Sequence, residues 1–134
     1  HTTDDRTPVT FITRYYLDKI KRLCDAHGTK LLFVTAPSPV NHTMQRHNEV
    51  QALADALAVP YLDLNLNTEE LGIDWNLDTL DGGDHLNYTG CQKATAYLQR
   101  YMQTHYTLPD RRDDVRYEAW NKQAEEFEKL LPQP

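Results

Sequence analysis

Apolar positions along the chain follow two rhythms, a helical one repeated four times and a short continuous one that occurs twice. After Thr7-Pro8, which reads as a helix cap with proline at the first helical position, Ile12, Tyr16, Ile20 and Leu23 fall three or four residues apart. His27-Gly28 supplies the stop. Lys30–Ala36 is then a short apolar run closed by Pro37-Ser38-Pro39, the pattern of a buried parallel strand. A second helix is predicted over Met44–Ala58 with Val50, Leu53 and Leu57 inward, and Pro60–Leu64 is a second short strand. Residues 65–80 mix polar positions with Leu71, Ile73, Trp75 and Leu77 and predict an ordered loop carrying a short turn of helix.

Thr89 and Gln92 have capping-box spacing, so a third helix is expected to start near Gly90. Its apolar face is Cys91, Ala94, Leu98, Tyr101, Met102 and His105. Leu108-Pro109-Asp110 breaks the pattern, and a last helix is predicted from Asp113 to Leu131. The spaced residues Tyr117, Trp120, Ala124, Phe127 and Leu131 are expected to pack back onto the core.

This order implies α/β architecture with right-handed crossovers, a main portion over 1–108 and a C-terminal amphipathic helical extension over 109–134. Two strands are few for an open α/β sheet, which usually has about five or six. Either further strands go unrecognised in these patterns or part of the sheet lies outside these residues, and exposed strand edges make a homodimer an expectation as well.

The chain has 134 residues, 40% of them hydrophobic and 25% charged, with a formal net charge of −6. That balance argues against nucleic acid or an anionic membrane surface as partner. The basic spots Lys19–Arg22 and Arg111-Arg112 are small, and Asp113-Asp114 follows the second. No apolar run approaches the ~20 residues of a membrane span. Cys24 and Cys91 have neither metal nor disulfide spacing and read as buried, inert members of helical stripes. The start at His1-Thr-Thr-Asp, without Met, makes a fragment or a processed product the expectation, with any targeting signal upstream.

Chemistry concentrates in Asp81-Gly-Gly-Asp84-His85, delivered immediately before a packed helix. A histidine beside carboxylates can act as a general base whose tautomer a carboxylate fixes. Asp81 and Asp84 are the candidate orienters. Asp81 is favoured because Gly82-Gly83 lets it curl back, whereas Asp84 is adjacent in sequence. The bland alternative is a solvated turn.

Ser38 is the only serine and stands at a predicted strand end, where open α/β sheets place their sites. It lacks the tight glycine turn that exposes a nucleophile, so it reads as a turn residue or a substrate contact. Asn87 is a second candidate for substrate contact, although shaping the start of the helix is its simpler role. His42 and His47 could join Asp81, Asp84 and His85 in a metal cluster. Their spacing matches no compact ligand motif, so no metal and no cofactor is expected.

Asp81-Gly-Gly-Asp-His85-Leu-Asn-Tyr-Thr-Gly90 with its following helix resembles the last block of SGNH (GDSL-type) hydrolases, where an Asp-x-x-His loop precedes the C-terminal helix. The run Leu31–Ala36 into Pro37-Ser38-Pro39, and Tyr61-Leu-Asp-Leu64, look like late strands of that flavodoxin-like, three-layer α/β/α fold. The resemblance covers about residues 12–106. It is nearest to cell-envelope members such as the teichoic-acid D-alanyl transfer protein and alginate acetyltransferases.

The Gly-Asp-Ser nucleophile block and the oxyanion glycine and asparagine blocks are absent, and Gly82 stands three before His85, where the family has its aspartate. The resemblance thus implies the C-terminal half of an SGNH domain, inert alone, with His85 and Asp81 or Asp84 in the catalytic roles. It further implies an esterase or O-acyltransferase acting on an ester-bearing small molecule or envelope polymer, and an extracytoplasmic or membrane-anchored location. The competing class is a non-catalytic SGNH-like module that docks through its C-terminal helix.

Overall fold

A computed structural model describes residues 3–131 and shows a mixed α/β chain, mostly helical, with one two-stranded parallel sheet. The order is α1 (Phe11–Ala26), β1 (Phe33–Thr35), α2 (Met44–Leu57), β2 (Tyr61–Asp63), a 3-10 turn (Leu64–Asn67), α3 (Thr68–Leu71) and α4 (Tyr88–His105). A second 3-10 turn (Val115–Tyr117) leads into α5 (Glu118–Leu130). The chain divides into two compact units, one up to Leu98 and one from Gln99 onward, and the division falls inside α4, before the Leu108-Pro109 break.

In the first unit β1 and β2 pair in register Phe33↔Tyr61, Val34↔Leu62, Thr35↔Asp63, with α2 as the crossover. Thr43 caps α2, its hydroxyl accepting the Arg46 N–H at 3.2 Å. The buried hydrophobic residues are Leu53 and Ala54 of α2, Leu62 of β2, and Val59, Leu64 and Leu71 on the segments either side of that strand. Of the three α2 positions expected inward, Leu53 is buried, while Val50 and Leu57 are only half-buried. The pairing is shorter than either apolar run, because Pro60 and Pro37 bound it and have no N–H to extend a ladder. β1 is not the buried strand its apolar run predicts: with a neighbour on one side only, it leaves Val34 41% exposed.

α1 starts one turn later than Thr7-Pro8 predicts. Thr10 is the cap, with its hydroxyl accepting the Thr13 N–H at 3.1 Å. No residue of α1 is buried, and Ile12, Tyr16, Ile20 and Leu23 of the predicted core stripe stay exposed, as does Phe11. What ties α1 to α2 is polar. The buried Glu49 carboxylate accepts Arg14 Nη2 at 2.9 Å and the Val9 N–H at 3.4 Å.

In the second unit, Asp114 caps the 3-10 turn by accepting the Arg116 N–H at 3.1 Å, and α5 begins only at Glu118. α5 has no buried residue, and Trp120, Phe127 and Leu130 are exposed, so the large-residue stripe is not the buried face that its spacing predicts. No helix among the described residues is long and apolar enough to cross a membrane.

Candidate functional site

The loop carrying His85 is held from beneath by Asp78, a residue that no sequence pattern singled out. Its side chain is almost fully buried. Oδ2 accepts Lys93 Nζ at 2.6 Å and the Asp74 N–H at 2.8 Å, and Oδ1 accepts the Thr89 hydroxyl at 2.8 Å. The Asp78 carbonyl also accepts the Asn87 N–H at 2.9 Å. Thr89 and Lys93 stand four apart on one face of α4, so a single carboxylate fastens the first turns of that helix to the preceding loop.

Asn87, not Thr89, satisfies the helix start. Its Oδ1 accepts the Gly90 N–H at 3.1 Å and, at 2.7 Å, shares the one Thr89 hydroxyl proton with Asp78 Oδ1, while Nδ2 donates to the Leu77 carbonyl at 2.6 Å. The Asn87 amide is thereby occupied by the fold at both ends. Cys91, expected to be buried on α4, is exposed.

Lys93, Asp74 N–H and Thr89 hold the Asp78 carboxyl down at about 2. An unfolded aspartate titrates near ~3.9, so this network contributes stability that is complete above about pH 4. The contribution shrinks as pH falls and is gone once pH passes below the folded value. The urea midpoint of Asp78→Asn should accordingly be lower than wild type at neutral pH and converge with it near about pH 2. A constant gap across that window would remove the titration from the account.

Above this support the chain pairs briefly with itself, Thr79 bridging Leu86 antiparallel and Leu80 N–H donating to the His85 carbonyl at 2.9 Å. Between them Gly82 and Gly83 take φ of 69° and 105°, a reversal that side-chain-bearing residues resist. The reversal brings Asp81 back onto His85. Asp81 Oδ2 meets the ring Nδ1 at 2.6 Å, and Asp81 Oδ1 accepts the His85 N–H at 2.8 Å. Asp84 Oδ2 lies farther away, 3.6 Å from Nδ1. The hydrogen bond that the ring donates to Asp81, the charge of Asp81 and then that of Asp84 raise the imidazole above its ordinary pKa, and the same bond lowers Asp81. The ring is 69% exposed and its carboxylate 49%, so this pair is open to an incoming reactant.

Ser38 and Asn41 sit on the turn after β1, at the carboxyl end of the sheet. Ser38 N–H donates to Asn65 Oδ1 at 2.7 Å, and Asn65 Nδ2 donates to the Ala36 carbonyl at 3.0 Å, so the segments following both strands are stitched together. Asp84 reaches this turn, accepting Asn41 Nδ2 and the Ser38 hydroxyl, the latter at 3.5 Å. The Ser38 Oγ accepts the Asn41 N–H at 3.1 Å. Gly83 rides so close that an added Cβ would lie 3.0 Å from Pro39 Cγ. The fold thus gathers Ser38, Asp81, Asp84 and His85 at one end of the sheet. Ser38's hydroxyl is spent on the turn and on Asp84, not on an imidazole, among the described residues.

His42 and His47 do not join this loop. They meet instead at Asp63, at the end of β2, whose Oδ2 lies 2.7 Å from His47 Nδ1 and 3.2 Å from the Tyr61 hydroxyl. Burial works against ionisation of Asp63. The Asn65 side chain, His47 and the Asn65 N–H outweigh it and keep the carboxyl below its ordinary range. Burial, opposed by the Thr35 hydroxyl and reinforced by Asp63, pushes the Tyr61 phenol up to about 12. The one available signal was strand alternation, which puts Tyr61 and Asp63 on the same face of β2. A cavity of about 280 Å³ lies here, lined among others by Thr35, Ser38, Asn41, His42, His47 and Tyr61.

Comparison of the chain with protein-family models, with curated proteins and with solved structures finds no match.

Proposed function

We propose that this chain is the histidine-bearing half of an SGNH-type esterase or O-acyltransferase, a partial three-layer flavodoxin-like domain whose nucleophilic serine lies outside these residues. The observation that carries the reading is the Asp81–His85 pair. It is an imidazole fixed through Nδ1 by a carboxylate at 2.6 Å, exposed on its other side, and set on a loop anchored at both ends. With Nδ1–H given to Asp81, Nε2 is the free base. It takes the proton of a serine hydroxyl as that oxygen attacks an ester carbonyl, and Asp81 stabilises the resulting imidazolium. The imidazolium returns the proton to the leaving alcohol. Water or a polymer hydroxyl then releases the acyl group by the reverse proton transfers. Esters of cell-envelope polymers or other carbohydrates are the substrates this reading implies, with an extracytoplasmic setting. The open edge of the two-stranded sheet is where the rest of the domain, or a second copy, would pair.

A second reading rests on α5, whose exposed Trp120, Phe127 and Leu130 form an apolar face in a helix with no buried residue. On that reading the module is non-catalytic and docks through this helix.

Fluorophosphonate labelling separates the two. The probe is applied to the 134 residues and to the polypeptide that carries them with the sequence before His1, and the adduct is mapped by mass spectrometry. The expected result is a label on a serine of that preceding sequence, lost in His85→Ala, with the short chain unlabelled. A label on Ser38 of the short chain would overturn the divided arrangement. No label on either folded polypeptide would leave the docking module.

A further inference from the structure

Open α/β sheets bind their ligands beyond the carboxyl ends of the strands, and the cavity of about 280 Å³ beside Thr35, the last residue of β1, lies there. Its wall includes the ring of His47, which the first turn of α2 carries. Nδ1 of that ring is fixed. It lies 2.7 Å from Asp63 Oδ2, an oxygen that also accepts the Tyr61 hydroxyl at 3.2 Å. Asp63 Oδ1 accepts the Asn65 N–H at 3.0 Å and Asn65 Nδ2 at 2.9 Å. The carboxylate is 1% exposed and donors surround both its oxygens, so it is a rigid acceptor and the proton of the pair sits on His47 Nδ1. The Tyr61 ring, its centroid 5.5 Å from that of His47, braces the imidazole.

Nε2 of His47 then carries the lone pair. It has no hydrogen-bond partner among the described residues, and unlike Nε2 of His42 it is not buried. The polar groups nearby are committed to the fold. The Ser38 hydroxyl accepts the Asn41 N–H, Asn41 Nδ2 serves Asp84, and the Thr35 and Tyr61 hydroxyls bond to each other at 2.8 Å. Ala36 and Val50 add carbon surface to the same wall. Apolar lining with an oriented polar atom is the make-up of a small-molecule pocket, and an acceptor selects a ligand that donates.

We propose that this cavity binds a neutral alcohol, a molecule of single-ring size whose hydroxyl donates to His47 Nε2. The size follows from the volume. An apolar cavity of about 150 Å³ accommodates benzene, so about 280 Å³ admits a ring with its substituents. The acceptor gives the class. A carboxylate or phosphate would set its own lone pairs against that of Nε2, and an ether has no proton to give. Water can also donate to Nε2, but it leaves the Ala36 and Val50 carbons wetted, whereas a ring covers them.

The site needs nothing from the esterase reading. Where both hold, its occupant is the alcohol side of the ester, since Ser38 and Asn41 belong to the cavity wall and also seat Asp84 beside His85.

The test uses the 134-residue chain with nitrogen-15 in its imidazoles, and two probes that share ring and oxygen, benzyl alcohol and benzyl methyl ether. Long-range proton–nitrogen spectra at mildly alkaline pH should show His47 protonated on Nδ1 and bare on Nε2, its resonances being identified by their loss in His47→Gln. Benzyl alcohol should shift the Nε2 resonance and bind roughly 3–10-fold tighter than the ether, the effect of one net hydrogen bond. Val50→Phe, which fills the cavity without touching the His47–Asp63 bond, should stop both probes from binding. Equal binding of the two probes by wild type, or undiminished binding by folded Val50→Phe, would overturn the proposal. So would a His47 whose proton sits on Nε2, or probe shifts confined to the exposed face of α5. These readouts require no acyl transfer, so their failure removes the alcohol site and leaves the esterase reading to the fluorophosphonate result.

Discussion

Gly90→Ala should lower the stability of the chain by about 2–3 kcal/mol, although alanine is the better helix former by about 1 kcal/mol. Gly90 lies buried in the first turn of α4, and a Cβ there would stand 2.3 Å from the Asp78 carbonyl oxygen. It would also lie 3.1 Å from Leu86 Cδ2 and 3.2 Å from Asp78 Cβ. The nearest obstacle is backbone, so a rotamer change gives no relief. Moving the Asp78 peptide strains the bond its carbonyl accepts from the Asn87 N–H at 2.9 Å. It also displaces the carboxylate that Lys93, Thr89 and the Asp74 N–H share. The loss therefore spreads from one methyl group to the whole attachment of α4, and with it the seat of the His85 loop. A lower urea midpoint with an unchanged slope is the expected signature. A variant as stable as wild type would show that the helix sits farther from residue 78 than the geometry here requires.

The helical periodicities were enough to locate α1, α2 and α4, because a helix imposes its period on whatever side it will bury or present. They were not enough to say which stripes would be buried. Ile12, Tyr16, Ile20 and Leu23 of α1 have core spacing and remain exposed, since burial depends on an opposing surface that lies elsewhere in the fold. Parallel pairing was legible in the two short apolar runs separated by a helix, whereas strand length was not, because Pro37 and Pro60 cut the ladder at both ends. At the site, Gly82-Gly83 made the curl of Asp81 onto His85 foreseeable from local chain geometry alone. Asp78 and Asp63 were not foreseeable in that way. Each works through partners that only the tertiary fold brings together, Asp78 with Thr89 and Lys93 on α4, and Asp63 with His42 and His47 beside the cap of α2. An aspartate in a loop or at a strand end reads as solvated until such partners are placed around it.

If the chain is the histidine-bearing half of an esterase, as proposed, Asp81→Asn should lower the hydrolysis rate of the polypeptide carrying the nucleophile between about 10²- and 10⁴-fold, and Asp84→Asn far less. Asp81 supplies two contacts, and the substitution separates them. Its Oδ1 accepts the His85 N–H at 2.8 Å, a bond that an asparagine oxygen can keep, so the loop should hold its shape. Its Oδ2 faces Nδ1 at 2.6 Å, where an asparagine amide would donate instead of accept. The ring would then carry its proton on Nε2, and the base would be lost to the wrong tautomer. The pH profile adds a readout that a merely structural role would not move. Wild-type activity should rise with pH through the raised pKa of His85, because only the neutral imidazole can accept the serine proton. Replacing the Asp81 carboxylate takes away the hydrogen bond and the charge that are the two largest causes of that elevation, so the residual activity of Asp81→Asn should rise at lower pH than wild type. Asp84 contributes only through charge, from 3.6 Å, while its other oxygen serves Asn41 and Ser38. Asp84→Asn should therefore shift the limb slightly in the same direction and leave the plateau near wild type. A silent Asp81→Asn beside a crippled Asp84→Asn would transfer the orienting role to Asp84. Loss of rate in Asp81→Asn with no movement of the limb would reduce Asp81 to a brace for the loop.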